Sequence, residues 1–139
     1  HADSRNAACP ATNPRRKNKT MSQIDINQLD QKLNEMVLAG QALEAFDRFY
    51  ADDVVMQEND GEARVGKAPN RAYEEQFFAS IAEVHEFSMH SSAVGDGVSY
   101  SDWTFDITFK DGNRVKMNQV ARRDWRDGKV VGERFYYKP

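Results

Sequence analysis

The sequence predicts an α+β fold in which helices pack against one face of an antiparallel sheet. Two observations support this prediction. In the first half of the chain, apolar residues recur every three or four positions, as in amphipathic helices. In the second half, apolar and polar residues alternate, and three turn sequences interrupt the alternation: GDG at 95–97, DGN at 111–113 and RDG at 126–128. Hairpin loops have this composition, and helices followed by hairpins are typical of α+β folds.

Length and composition limit the class of protein. A chain of 139 residues with 40% hydrophobic residues is long enough for one domain with its own core. The single cysteine, Cys9, excludes a disulfide framework and suits a reducing compartment. No apolar run approaches the length of a membrane span, and the N-terminus lacks the apolar core of a signal peptide. We therefore expect a cytoplasmic protein with no membrane partner.

The first 20 residues differ from the rest of the chain. They show no apolar periodicity, and they hold five of the 19 Lys and Arg residues but one of the 22 Asp and Glu residues. We expect residues 1–20 to form a disordered tail and residues 21–139 to form a single domain. The basic cluster at 15–19 could contact nucleic acid or a membrane surface, but a solvated, non-native or vestigial tail is the simpler interpretation. Because the domain is acidic, we expect no nucleic-acid partner.

Three helices are expected before the strand-rich half. Gly40 follows the first helix where a C-terminal glycine cap belongs. Pro69 fits only the first turn of the third helix, because proline lacks the N–H that later turns need. The apolar faces are Ile26, Leu29, Leu33, Met36 and Val37 in the first helix, Leu43, Phe46, Phe49 and Tyr50 in the second, and Tyr73, Phe77, Phe78 and Ile81 in the third.

A short strand between the second and third helices carries a carboxylate on its inward face. Val54 and Met56 alternate with polar residues, and Glu58 takes the next position on the same face. A carboxylate that follows two apolar inward residues predicts that this face borders a mostly apolar pocket.

The long strands predict the walls of that pocket. On strand 98–109, the odd residues from Trp103 to Phe109 are apolar and the even residues are polar. If Trp103 and Phe105 point inward, strand parity also sends Gln119 and Arg123 inward from the next strand. On the strand before 95–97, His85, Phe87 and Met89 share one face.

The orientation of the last strand depends on the RDG loop. A three-residue loop would turn Val131, Glu133, Phe135 and Tyr137 inward. A two-residue loop would instead turn Val130, Gly132, Arg134 and Tyr136 inward. Both alternatives stay open, because a slip of one residue reverses every side chain on a strand.

Three segments resemble the SnoaL-like proteins of the nuclear transport factor two-like superfamily: FYADDVVMQEN (49–59), the VGK–helix segment (65–81) and WRDGKVVGERFYY (125–137). The resemblance covers about all of residues 21–139. It implies a cone-shaped α+β barrel, with helices packed in the concave face of a strongly curved antiparallel sheet around a pocket. It also implies a homodimer through the outer sheet face, and it favours the orientation that puts Glu133 in the pocket.

The ketosteroid isomerases of the same superfamily offer a comparison by residue. Their segment ending in the catalytic base resembles YADDVVMQEN, which puts the base at Glu58. The oxyanion tyrosine of that family falls near Leu33 and its protonated aspartate near Ala121. Neither side chain can donate a hydrogen bond to an enolate, so the chain departs from the isomerase pattern where the family's largest catalytic contribution lies.

The candidate site combines proton-handling groups with an apolar wall. Two carboxylates in an apolar enclosure can hold different protonation states and transfer a proton near neutral pH. The chemistry would suit a cofactor-free isomerase, cyclase or hydratase that acts on a hydrophobic small molecule. Two histidines on opposite strand faces and one tail cysteine predict no metal site. The expected catalytic residues are Glu58, His85 and Glu133, and the expected ligand-binding residues are Met56, Trp103, Phe105, Gln119 and Tyr137.

Each charged member of the site also has a structural interpretation. Glu58 could pair with Arg64, and Glu133 could form a buried ion pair with Arg123. The alternative function is therefore a non-catalytic module for ligand binding or dimerisation. A phosphate-binding loop is a weaker hypothesis, because GEARVGKA (61–68) has Ala68 where a magnesium-binding Ser or Thr is required.

Overall fold

The computed structural model describes residues 14–139, with side chains from residue 25 onward. Most of the expected tail, including Cys9, therefore lies outside the described residues. The helices are α1 (Pro14–Leu38), α2 (Ala42–Phe49) and α3 (Lys67–Ala79). The strands are β1 (Tyr50–Glu58), β2 (Arg64–Val65), β3 (Ile81–Val94), β4 (Val98–Phe109), β5 (Arg114–Arg126) and β6 (Lys129–Tyr137). No helix among the described residues combines the length and apolar composition needed to cross a bilayer.

The predicted glycine cap of α1 is confirmed. Gly40 has φ +81°, which an L-residue with a side chain rarely adopts. Its N–H donates to the carbonyl of Val37 at 3.1 Å, and the N–H of Gln41 donates to the carbonyl of Met36 at 2.8 Å. These two bonds form a Schellman motif, which ends the helix and turns the chain into α2.

The six strands form one open sheet in the order β2-β1-β6-β5-β4-β3. All neighbouring pairs are antiparallel except β1 and β6, which are parallel. The expected antiparallel sheet is therefore mixed at this pair and is not closed into a barrel. Parallel pairing is possible here because β1 and β6 are distant in sequence and need no hairpin between them.

The hydrophobic core lies between the first two helices and the β1 end of the sheet. Leu33, Phe46 and Val54 are almost completely buried there. Phe49 contacts Trp125 edge to face, with ring centroids 6.5 Å apart. Burying each such side chain stabilises the fold by about 1.5–3 kcal/mol. The part of the concave face beyond this core, towards β3, stays open and borders a cavity.

The loop between β5 and β6 has two residues. Asp127 and Gly128 form it with φ of 54° and 76°, the backbone that a type I′ turn requires. Arg126 pairs directly with Lys129 across this turn. The second of the two loop alternatives is therefore the one observed.

A bulge in β6 then restores the other orientation. Arg123 pairs with Glu133 and Asp124 with Gly132, but Trp125 pairs with Val130. Val131 is thus an extra residue, and it reverses the parity of the strand beyond it. Glu133 and the inward residues after it consequently line the cavity, as the resemblance implies, although the loop is short.

Candidate functional site

A cavity of about 690 Å³ lies between the helices and the concave face of the sheet. Its wall is mostly apolar, and the odd residues of β4 from Trp103 to Phe109 all contribute to it. Leu38, Tyr73, Phe78 and Val84 also line the cavity and are each more than a third exposed, so they mark its mouth. Cavities of this size and polarity hold small organic ligands.

The third helix forms one side of this cavity. Its expected apolar residues Tyr73, Phe77, Phe78 and Ile81 line the space. The only fully buried side chain of α3 is instead Asn70, whose amide donates to the carbonyls of Arg64 at 2.9 Å and Gly66 at 2.8 Å. The expected buried face is thus a cavity wall, because no further element covers it among the described residues.

Glu58 lines the cavity at the end of β1. Its Oε1 accepts a hydrogen bond from the Tyr137 hydroxyl at 2.9 Å, and its Oε2 lies 3.0 Å from Nη1 of Arg64. Burial raises the pKa of Tyr73, and a hydrogen bond from its hydroxyl to Glu58 raises it further. Glu58 therefore lines the cavity, as expected of a site residue. It also forms the ion pair with Arg64 that its structural interpretation predicts.

Glu133 lies in a buried charge network that also lines the cavity. Its Oε2 is 2.9 Å from Nε of Arg123, and its Oε1 accepts a hydrogen bond from the Tyr50 hydroxyl. Nη1 of Arg123 donates to Asp30 at 2.7 Å and to Asn34 at 2.6 Å. The predicted ion pair of Glu133 with Arg123 is therefore present, and it is extended into α1.

Burial and charge both act on this network. Burial raises the pKa of Tyr50 well above its ordinary value, and the charge of Glu133 adds to the effect. Burial disfavours the charged guanidinium of Arg123 and by itself would lower its pKa. The nearby Tyr50, Glu133 and Asp30 outweigh this effect, so the pKa of Arg123 is raised overall. The network thus holds a permanent cation against the inner wall of the cavity.

Four of the expected ligand-binding residues, Trp103, Phe105, Gln119 and Tyr137, line the cavity. Phe87 joins them, since its ring stacks on Trp103 and lies 5.3 Å from Phe105, centroid to centroid. The fifth expected residue does not line the cavity. Met56 is buried in the hydrophobic core instead, in one cluster with residues of the first two helices.

His85 also lies away from the cavity lining, contrary to the expected placement. Its Nε2 is 2.7 Å from the Thr108 hydroxyl and its Nδ1 is 3.1 Å from Glu83. The pairing of β3 with β4 shifts register near Ile81 and again near Val84. These irregularities change the strand parity, so Val84 lines the cavity and His85 does not.

Glu74 is the cavity residue that sequence reasoning missed. It lines the cavity from α3 and forms no hydrogen bond or ion pair with the described residues. Its pKa is raised to about 7, first by burial and then by the charge of Glu133, while Arg64 lowers it and Glu58 adds a smaller rise. A sequence signal existed, because Glu74 precedes Phe78 by four residues and so shares its helix face.

Arg64 holds this end of the cavity together. Its guanidinium carbon lies 3.6 Å from the centroid of the Tyr73 ring, and its Nε donates to Asn70 at 3.2 Å. Its Nη2 is buried without a hydrogen-bond partner among the described residues. This end of the cavity therefore combines a cation, two carboxylates and two phenols in an apolar surrounding.

No group of three His, Cys, Asp or Glu side chains in the described part of the chain is arranged to hold a metal ion. The described cavity is lined by acid–base groups and by hydrogen-bond donors. Carboxylates and phenols in an apolar enclosure can bind the polar end of a ligand and transfer protons.

The comparisons with known proteins agree with this architecture. The family model of the SnoaL-like domain matches residues 31–133. A proposed SnoaL-like polyketide cyclase from Mesorhizobium loti is 28% identical, with a TM-score of 0.74, and the match covers 81% of this chain and 98% of that one. No curated protein matches the sequence significantly.

Two further solved structures share the fold at lower identity. An NTF2-like protein of unknown function from Burkholderia pseudomallei is 16% identical, with a TM-score of 0.69 over 82% of this chain and 91% of that one. An LEH-like epoxide hydrolase from M. tuberculosis is 14% identical, with a TM-score of 0.67 over 84% and 85%. The family match spans most of the chain, and the structural matches share its overall fold. The chain therefore belongs to the SnoaL-like family, and it shares its fold with the NTF2-like protein.

Proposed function

We propose that the chain binds a hydrophobic small molecule in its cavity and catalyses a proton transfer on it, as an isomerase, cyclase or hydratase. One observation carries this proposal. The cavity is apolar over most of its wall, yet Glu58, Glu74 and Glu133 border the same space. Placing three carboxylates in such a cavity costs free energy, because burial disfavours a charged group. Ionisable groups gathered in a cavity at such a cost often belong to a catalytic site.

The ligand is expected to be a multi-ring or chain-like carbonyl compound. The aromatic wall of Phe87, Trp103 and Phe105 would contact its apolar body. The polar end around Arg64 and Tyr137 would orient its oxygen. A carboxylate beside a carbon next to the carbonyl could then remove a proton from that carbon. The name of the neighbouring polyketide cyclase fits this class of ligand.

A thermal-shift screen of bicyclic and tricyclic ketones tests the binding step. A ligand that binds the native state raises its melting temperature. Met117→Trp would fill part of the cavity and should abolish the shift, because Met117 lines the wall. Lys116→Trp is the matched control, since Lys116 is exposed on the opposite face of the same strand. An equal ligand response in both variants would contradict binding in the cavity.

Deuterium uptake tests the proton transfer without knowledge of the product. A ketone that binds, for example 2-tetralone, is dissolved in deuterated buffer, and exchange of its α-protons is followed by NMR. The proposal predicts exchange faster than in buffer alone. Binding without accelerated exchange would instead support the non-catalytic ligand-binding module. That alternative is favoured by the ion pairs that already occupy Glu58 and Glu133.

We also propose that two copies associate through the outer face of the sheet. Val120 pairs with Asp102 on one side and Tyr136 on the other, and Val120 and Tyr136 are both more than a third exposed. Arg134 lies over the ring of Tyr136 at 5.0 Å. Tyrosine and arginine around a small apolar centre are typical of protein interfaces.

A further inference from the structure

We propose that Glu74, rather than Glu58, takes and returns the proton in this cavity, and that Glu58 is a fixed carboxylate that positions Arg64 and Tyr137. This inference rests on the proposed function and assigns its central step to a residue on α3. Three independent features support it: the partners of Glu58, the lack of partners of Glu74, and the rigid attachment of the helix that carries Glu74.

Glu58 is poorly suited to remove a proton. One of its oxygens lies 3.0 Å from the Arg64 guanidinium, and the other accepts the Tyr137 hydroxyl proton at 2.9 Å. Both oxygens of Glu58 are therefore already bound by protein groups, and a ligand proton could reach them only if one of these contacts were broken. Glu133 is similarly committed, because Arg123 and Tyr50 bind its two oxygens.

Glu74 has the opposite environment. It borders the same cavity, and it forms no hydrogen bond or ion pair with the described residues. Both of its oxygens are therefore available to a ligand. A general base must reach its proton directly, and an unpartnered carboxylate on the cavity wall meets this condition.

The backbone that carries Glu74 is nevertheless held firmly. The Asn70 amide, one helical turn earlier, bonds to the carbonyl of Arg64 at 2.9 Å. Arg71 forms a two-pronged ion pair with Asp47 of α2, with Nε to Oδ1 at 2.7 Å and Nη2 to Oδ2 at 3.0 Å. A free functional group on an anchored helix is the arrangement that precise proton transfer needs.

The charges around Glu74 support the same role. Burial, and then the negative charges of Glu133 and Glu58, raise its pKa to about 7, against the positive charge of Arg64. A base with a pKa near the working pH combines a useful ionised fraction with good proton affinity. The titratable groups that face Glu74 or share its cavity are Glu44 on α2, Tyr50 and Glu58 on β1, Arg64 on β2, Tyr73 on α3, Arg123 on β5, and Glu133 and Tyr137 on β6.

The proposed proton transfer through Glu74 conserves atoms, electrons and charge. The ionised Glu74 takes a proton from the carbon beside a ligand carbonyl, and the C–H electron pair becomes the C=C bond of an enolate. The charge that develops on the carbonyl oxygen is stabilised by the Arg64 cation in the same cavity. Protonated Glu74 then returns its proton to another carbon in an isomerisation. In an aldol cyclisation it protonates the alkoxide formed when the enolate carbon attacks a second carbonyl.

The test compares Glu74→Gln with Glu58→Gln in the deuterium-exchange assay with 2-tetralone. Glu74→Gln should bind 2-tetralone with an unchanged thermal shift but lose about 10²–10⁴-fold of the exchange rate. Glu58→Gln should weaken binding and keep a larger share of the exchange rate. Wild-type exchange should rise with pH and level off above about pH 7, where Glu74 is ionised. Exchange at the wild-type rate in Glu74→Gln would overturn the inference.

A second measurement separates this inference from the proposed function. Carbon-13 NMR of the labelled glutamate carboxyl groups, with Glu74→Gln used for assignment, gives the titration of Glu74 in the protein alone. A midpoint near 7 is expected, and a midpoint near the ordinary 4.5 would overturn the assignment of Glu74. If the midpoint is near 7 and 2-tetralone shows no accelerated exchange, the failure belongs to the proposed function.

Discussion

Tyr137 donates a hydrogen bond to Glu58 at 2.9 Å, and this contact joins the last strand to the end of the first. It exists because Tyr137 faces inward, which in turn depends on the bulge at Val131. Burial raises the pKa of Tyr137 to about 12, and the hydrogen bond to Glu58 contributes to the rise. The contact between Tyr137 and Glu58 therefore depends on the same bulge that sets the geometry of the polar end of the cavity.

Replacement of this hydroxyl should have a modest cost. Tyr137→Phe removes the donor to Glu58 and should lower the free energy of unfolding by about 1 kcal/mol. Urea denaturation at neutral pH measures the change. Tyr136→Phe is the control, because Tyr136 is more exposed on the opposite face, and it should change stability less. An equal loss in both variants would mean that the Glu58 contact contributes nothing specific.

The buried network around Arg123 should be far more sensitive than exposed ion pairs. Arg123→Met leaves Asp30 and Glu133 without their shared cation and should destabilise the fold by about 3–5 kcal/mol. Arg122→Met, at the adjacent position, breaks only a half-exposed pair with Asp124 and should cost about 1 kcal/mol or less. Urea denaturation of both proteins checks this, and similar costs would contradict the importance of the network.

Glu74 should give stability a distinctive pH dependence. Its pKa is raised from 4.5 to about 7 in the folded state, so the folded protein binds the proton more tightly than the unfolded chain. Its contribution is therefore fully present below pH 4.5 and is lost as the pH rises through 7. Glu74→Gln removes the titration and should be more stable than wild type at pH 8 by roughly 1–3 kcal/mol.

Denaturation at several pH values between 4.5 and 8 measures this effect. Glu75→Gln is the matched control, because Glu75 is exposed at the next position and pairs with Arg71 at 3.0 Å. The stability difference from wild type should change more with pH for Glu74→Gln than for Glu75→Gln. A Glu74→Gln difference that stays constant with pH would show that Glu74 titrates normally.

The proposed dimer is tested by mass. Wild type should give twice the mass of one chain in size-exclusion chromatography with light scattering at micromolar concentration. Val120→Lys adds a charge to the apolar centre of the outer face and should give a monomer. Glu62→Lys, exposed in the loop between β1 and β2, should leave the mass unchanged. A monomeric wild type would reject the proposal.

Local signals in the sequence were sufficient for most of the fold. The glycine cap at Gly40 depends on the backbone freedom of one residue. The inward face of β4 from Trp103 to Phe109 depends on a period of two, which holds as long as the strand is regular. The pairing of Glu133 with Arg123 could also be anticipated, since two adjacent strands share one face.

Irregular strands and long-range electrostatics were decided by the tertiary structure. The register shifts in β3 that carry His85 away from the cavity, and the extra Val131 in β6, have no local signature, because a bulge reflects the best packing of a whole sheet. The behaviour of Glu74 likewise depends on Glu58, Arg64 and Glu133, which lie on three different strands. The sequence alone determined the apolar inward face of β4 and the end of the first helix before Gly40. Only the folded chain determined that Glu74 borders the cavity without an ion-pair partner among the described residues, because that depends on contacts between residues far apart in sequence.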